Sequence, residues 1–286
     1  MATAQEQVLP TQEPIAHKEL NGTSAVDQAQ AAKQRRYDYG GNPLAHWRTN
    51  EENRLTAFGG DFQPGLYAPP SRKFANPAPL GLSAFALTTF VLSLINVGTM
   101  DITHPNLVVA LAYGYGGLVQ LLAGMWEMAV GNTFGATALS SYGGFWLSFA
   151  IILTPGGFNI REDLESYGLG VFLDSFGLYL FGWFIFTTIL LACTLRSTVA
   201  FFSLFLTLDL AFLCLGVGYL SHNGELPNDN WIKAGGYFGL FAAFLAWYNA
   251  FAGIADNSNS FFVVPVAHFP WSEKGRERRS NRDNDV

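Results

Sequence analysis

Charge is what this sequence has least of: 13% of its 286 residues are Asp, Glu, Lys or Arg, where a soluble globular domain carries about 25%. The deficit is concentrated. Residues 1–73 hold eight basic and eight acidic side chains and residues 268–286 hold five and four, whereas the 194 residues between hold three basic and ten acidic. In a chain that is 50% hydrophobic, so long a charge-poor block reads as a membrane domain. Cysteine is scarce too. Cys193 and Cys214 fall in apolar runs at different depths, which argues against a disulfide and sets redox chemistry aside. The net charge of −6 is small and spread out, and no basic cluster interleaves with aromatics, so no nucleic-acid partner is expected. The first thirty residues carry no basic-then-apolar signal pattern, which leaves targeting to the first hydrophobic span.

Catalytic and metal-binding patterns are missing as well. His104, His222 and His268 sit near span ends without paired ligand spacing, so neither a metal nor a cofactor is expected. Ser/His/Asp groupings can be assembled only by ignoring depth, and an enzyme is not expected.

Six apolar stretches are present, at approximately 77–98, 107–128, 134–154, 168–192, 198–220 and 231–255. Each is near the ~20 residues that cross a hydrocarbon layer of ~30 Å. Turn residues separate them, among them His104-Pro105-Asn106, Gly131-Asn132 and Pro155-Gly156-Gly157. Backbone polar groups cannot stay unpaired in lipid, so continuous runs of this length predict helices. The fold class is therefore all-α, a polytopic membrane protein with six transmembrane helices. An even number of crossings puts both termini on one side. With that side cytoplasmic, eight basic residues near helix ends lie inside (Arg72, Lys73, Arg196, Lys274, Arg276, Arg278, Arg279 and Arg282) and two outside (Arg161 and Lys233), as the positive-inside rule requires. Residues 1–73 read as a mostly disordered cytoplasmic tail, 74–257 as a six-helix transport domain, and 258–286 as a cytoplasmic carboxy-terminal tail. Aromatics between Tyr37 and Tyr67 allow a second reading of that stretch, along the membrane surface.

Asn76-Pro77-Ala78-Pro79-Leu80-Gly81-Leu82 opens the first span, and as a helix start it needs only an Asn cap and prolines in the first turn. Together with Gly131-Asn132-Thr133-Phe134-Gly135 and Ser141-Tyr142-Gly143-Gly144-Phe145-Trp146, it resembles the acetate uptake transporter family. The resemblance covers approximately residues 70–267. It implies transport of acetate, in some members succinate, together with protons, a pore within each six-helix subunit, and assembly into a homo-hexamer. The long amino-terminal tail is similar to that of fungal members. The family's pore constriction, a Phe, a Tyr and a Leu, falls here on Phe85, Tyr142 and Leu208.

Spacing gives an independent check. Phe85 lies nine residues beyond Asn76, Tyr142 ten beyond Asn132 and Leu208 ten beyond Thr198, each ~15 Å into an odd-numbered helix at 1.5 Å per residue. Equal depth permits one ring at mid-membrane, though three packing residues would share that depth as well. In a ring, Tyr142 could donate to a carboxyl oxygen while Phe85 and Leu208 touch the methyl group. An ionised carboxylate is costly in such a constriction, and protonation removes most of that cost.

The odd-numbered helices all start at the same face, where free amides attract anions. Asn76, Pro77, Leu80, Asn132, Thr133 and Thr198 are the substrate-binding candidates there, with ordinary helix capping as the alternative for the polar ones. Asp209 and Glu127 are the proton-coupling candidates, since acids inside a membrane are expensive and often functional. Asp209 could instead hydrogen-bond a neighbouring helix, and Gln120 could either bridge helices or line the path. Small residues such as Gly235, Gly236, Gly239, Ala242, Ala246 and Ala250 read as packing faces.

The sequence thus predicts a plasma-membrane transporter, channel or carrier, whose partners are acetate, small carboxylates, protons and the lipid bilayer. The rivals are an acetate-responsive membrane sensor and a channel for another small solute such as ammonia.

Overall fold

The computed structural model describes residues 74–102, 104–272 and 274–277. The aromatic stretch 37–67 and the expected amino-terminal tail lie outside the described residues. Six long helices make up the body: α1 (Ala78–Val97), α2 (Asn106–Val130), α3 (Thr133–Leu153), α4 (Leu169–Cys193), α5 (Val199–Leu220) and α6 (Asp229–Ile254). Each is long and apolar enough to cross a membrane, and every boundary lies within two residues of its expected place. The protein is an all-α polytopic membrane protein. Among the described residues the one β-type pairing is an isolated bridge, Thr198 with His268.

Local chemistry sets the ends. Pro79 sits in the first turn of α1, where its missing N–H costs nothing. Gly98 ends the helix in the left-handed region, its N–H donating to the Ile95 carbonyl at 2.9 Å. Asn132 caps α3 by accepting from the Gly135 N–H at 3.0 Å, and Thr198 caps α5 by accepting from the Phe201 N–H at 3.2 Å.

Two features depart from the sequence reading. Gly114–Val119 in the middle of α2 forms a π-helical turn. The stretch between α3 and α4 contains a short helix, Ile160–Ser166, whose Arg161 donates to Glu165 at 2.7 Å and lies over the Phe172 ring.

Small residues decide the packing. α6 carries Ala242, Ala243 and Ala246, all fully buried, on a face that packs against α1 and α5 within the subunit. α2 and α3 approach closely at Gly143, where an added Cβ would lie 2.7 Å from the Leu121 backbone nitrogen. Away from the starts of α1, α3 and α5, the interior is filled by Phe145, Trp146, Phe149, Phe172, Phe176 and Phe212, with Phe145 and Phe212 edge to face at 5.2 Å.

The stretch after α6 returns to the bundle. The Val199 N–H donates to the Ala267 carbonyl at 2.9 Å, and Trp271 Nε1 donates to the Leu195 carbonyl at 2.7 Å. Of the expected 258–286 tail, the stretch from Ala267 to Ser272, the latter buried, is thus docked on the connection between α4 and α5.

Candidate functional site

A cavity of about 330 Å³ opens in one half of the bundle, at the end where α1, α3 and α5 start. Its wall uses Ala78, Leu82 and Phe85 of α1; Phe134, Gly135, Ala138, Leu139 and Tyr142 of α3; and Phe201, Leu204, Phe205 and Leu208 of α5. Gln120 of α2, Asn132, Cys193, Thr194 and Ser197 complete it. On each odd-numbered helix the lining residue furthest from the start is one of Phe85, Tyr142 and Leu208, and all three are buried. The structure therefore brings the three together at the inner end of one cavity. Phe85 and Tyr142 ring centroids are 6.0 Å apart, and Tyr142 stacks on Phe212 at 6.4 Å. Beyond them the aromatic core fills the space.

Hydrogen bonds fix what Tyr142 presents. Its hydroxyl is 2.9 Å from Thr187 Oγ1, and Thr187 Oγ1 is 2.7 Å from the Trp183 carbonyl oxygen. A carbonyl only accepts, so the single Thr187 hydrogen goes to Trp183, and Thr187 must accept from Tyr142. In this arrangement the Tyr142 hydrogen is held by Thr187.

At the mouth the polar candidates separate. Asn132 borders the cavity, whereas Asn76, Pro77, Leu80, Thr133 and Thr198 lie off its wall. Asn76 Oδ1 accepts from the Ala78 N–H at 3.1 Å and Thr198 caps α5, so both turn their oxygens back onto their own helices. Leu80 is half exposed on the outer side. Thr194 and Ser197, which the sequence reading passed over, border the cavity instead. Their hydroxyls donate to the Leu191 and Thr194 carbonyls at 2.7 and 2.6 Å. A Ser or Thr just past a helix end is too common a pattern to have marked them.

Of the two acids, Asp209 has Oδ1 2.9 Å from Thr188 Oγ1 across the α4–α5 interface and does not border the cavity. Glu127 is buried at the end of α2, beside the Asn132 side chain, with its Oε1 unpartnered. Gln120 makes no hydrogen bond to another helix; it belongs to the cavity wall. Among the described residues no three His, Cys, Asp or Glu side chains converge to hold a metal.

Comparison with known proteins gives a consistent picture. Residues 58–271 match the sequence pattern of the GPR1/FUN34/yaaH family. Acetate permease A of Emericella nidulans is 69% identical over 260 residues, covering 90% of this chain and 87% of that one. Ammonia transport outward protein 2 of Saccharomyces cerevisiae is 50% identical over 225 residues, 78% of this chain and 77% of its own. A solved structure, described as that of the bacterial acetate channel SatP, superposes with a TM-score of 0.60 at 32% identity, covering 68% of this chain and all of that one.

Proposed function

Because the chain belongs to the GPR1/FUN34/yaaH family, we propose that it carries acetate and similar small monocarboxylates across the plasma membrane together with protons. The observation that carries this reading is the half-bundle cavity ending at Phe85, Tyr142 and Leu208. These three side chains form the constriction. An apolar ring penalises an ionised carboxylate, so the acid passes with its charge neutralised. Succinate, with two carboxylates, meets a larger barrier at the same place.

Both termini are cytoplasmic, so the cavity opens to the inside, and the free amides of α1, α3 and α5 draw anions to that mouth. Asn132, which borders the cavity, is the mouth residue that meets them. Subunits assemble as a homo-hexamer, each with its own path. Asp209 and Glu127 are the candidate proton carriers on the protein, and the substitutions below decide between them and the acid itself.

Purified protein in vesicles, given labelled acetate and an imposed pH difference, tests the reading. Uptake should follow the proton gradient and be displaced by unlabelled acetate ahead of methylammonium. Phe85→Ala, Tyr142→Ala and Leu208→Ala should each change rate or solute range by about tenfold. Flux untouched by all three substitutions would remove the constriction. Flux in Asp209→Asn or Glu127→Gln that no longer follows pH would place the proton on the protein. Removing residues 1–70 should leave transport intact, whereas a sensor would lose its output.

A further inference from the structure

Gln120 is the member of the cavity wall whose hydrogen-bonding groups are all unspent. It has no exposed surface, and neither Nε2 nor Oε1 has a partner. Its polar neighbours on the wall are committed elsewhere. Tyr142 gives its hydrogen to Thr187, Thr194 and Ser197 donate to main-chain carbonyls, and Asn132 Oδ1 accepts from the Gly135 N–H. A buried, unpaired amide among apolar side chains is costly and uncommon in folded proteins. Here the helix itself is built around it: the π-helical turn Gly114–Val119 ends at the residue before Gln120, and such turns recur at functional positions.

We propose that Gln120 is the docking group for the carboxyl end of the solute, an inference that rests on the carboxylate reading of this cavity. Nε2 donates to the carbonyl oxygen of the acid, and Oε1 accepts the acid's hydroxyl hydrogen. A neutral carboxylic acid satisfies both amide atoms at once. The carboxylate ion has no hydrogen to offer, so Oε1 would face it lone pair to lone pair. Gln120 thereby selects the protonated acid, and the wall side chains part to admit it, since a water-sized sphere does not reach the amide in this conformation.

The test compares wild type with Gln120→Leu and Gln120→Met in vesicles, measuring labelled acetate uptake under an imposed pH difference, and thermal unfolding in detergent. The apparent KM for acetate should rise about tenfold or more, the size of a lost hydrogen bond in a dry site. The unfolding temperature should stay level or rise, because an unpaired amide has been removed. A KM within about twofold of wild type overturns the proposal, since the effect of one hydrogen bond is larger than that. If both apolar variants fail to insert, Gln120→Asn decides. Its amide is withdrawn by one methylene, so the ratio of propionate to acetate flux should grow about threefold or more; an unchanged ratio overturns the proposal. Wild-type protein that carries no acetate defeats the carboxylate reading and this inference together. Wild-type transport beside an unaltered KM in the apolar variants defeats the inference alone.

Discussion

Thr187 never touches the cavity, yet it decides what Tyr142 offers there. The Trp183 carbonyl takes the Thr187 hydrogen, Thr187 takes the Tyr142 hydrogen, and the phenol is left as an acceptor. Thr187→Val keeps the shape and removes this relay. Tyr142 can then turn its hydrogen toward a carboxylate, so acetate uptake should persist to higher pH than in wild type. Stability should fall by about 1 kcal/mol for the lost hydrogen bond. Uptake measured across a pH series checks the first expectation, and a profile superimposable on wild type would refute it. Phe85, Tyr142 and Leu208 were singled out by the family resemblance, with their near-equal spacing from helix starts as a check. The direction of a hydrogen bond was not readable, since it depends on a carbonyl 41 positions further along the chain.

At the level of the helices, α2 shows how one irregular turn changes a face. A π-helical turn adds a residue to its turn, and so rotates everything after it by roughly 100° relative to an unbroken helix. Gln120 begins the rotated part, and periodicity counted from Asn106 would assign it a different side. The α2–α3 crossing has its own requirement. An added methyl at Gly143 meets the Leu121 backbone, which cannot swing aside as a side chain tip could. Gly143→Ala should therefore destabilise the protein by about 1–3 kcal/mol, the usual cost of overpacking, seen as a lower unfolding temperature in detergent. Unchanged unfolding would mean that the two helices separate more easily than their packing suggests.

For the molecule as a whole, the chain after α6 closes over the connection that forms one rim of the cavity. Leu195 and Val199, which it holds, bracket Ser197 on the cavity wall. Trp271→Ala removes the Nε1 bond and the stack on Phe269, whose ring centroid is 4.7 Å away. The Val199 amide should then exchange its hydrogen faster, while the mid-helix amides of α5 keep their protection. Exchange at Val199 equal to wild type would show that the rim holds its shape without this latch.

By itself the sequence determined six helices, their ends and their membrane setting, because runs of about 20 apolar residues and their turn residues leave the backbone no other way to be satisfied in lipid. It also placed Phe85, Tyr142 and Leu208 at one depth, since rise per residue is constant. Which side chains share a cavity was decided only by the tertiary structure. Thr198 and Asn76 spend their oxygens on their own helix starts, Asp209 turns to Thr188, and Gln120 is brought to the cavity wall without a partner. Rotation about a helix axis and the partners met across an interface arise from packing between distant segments, and no local pattern encodes them.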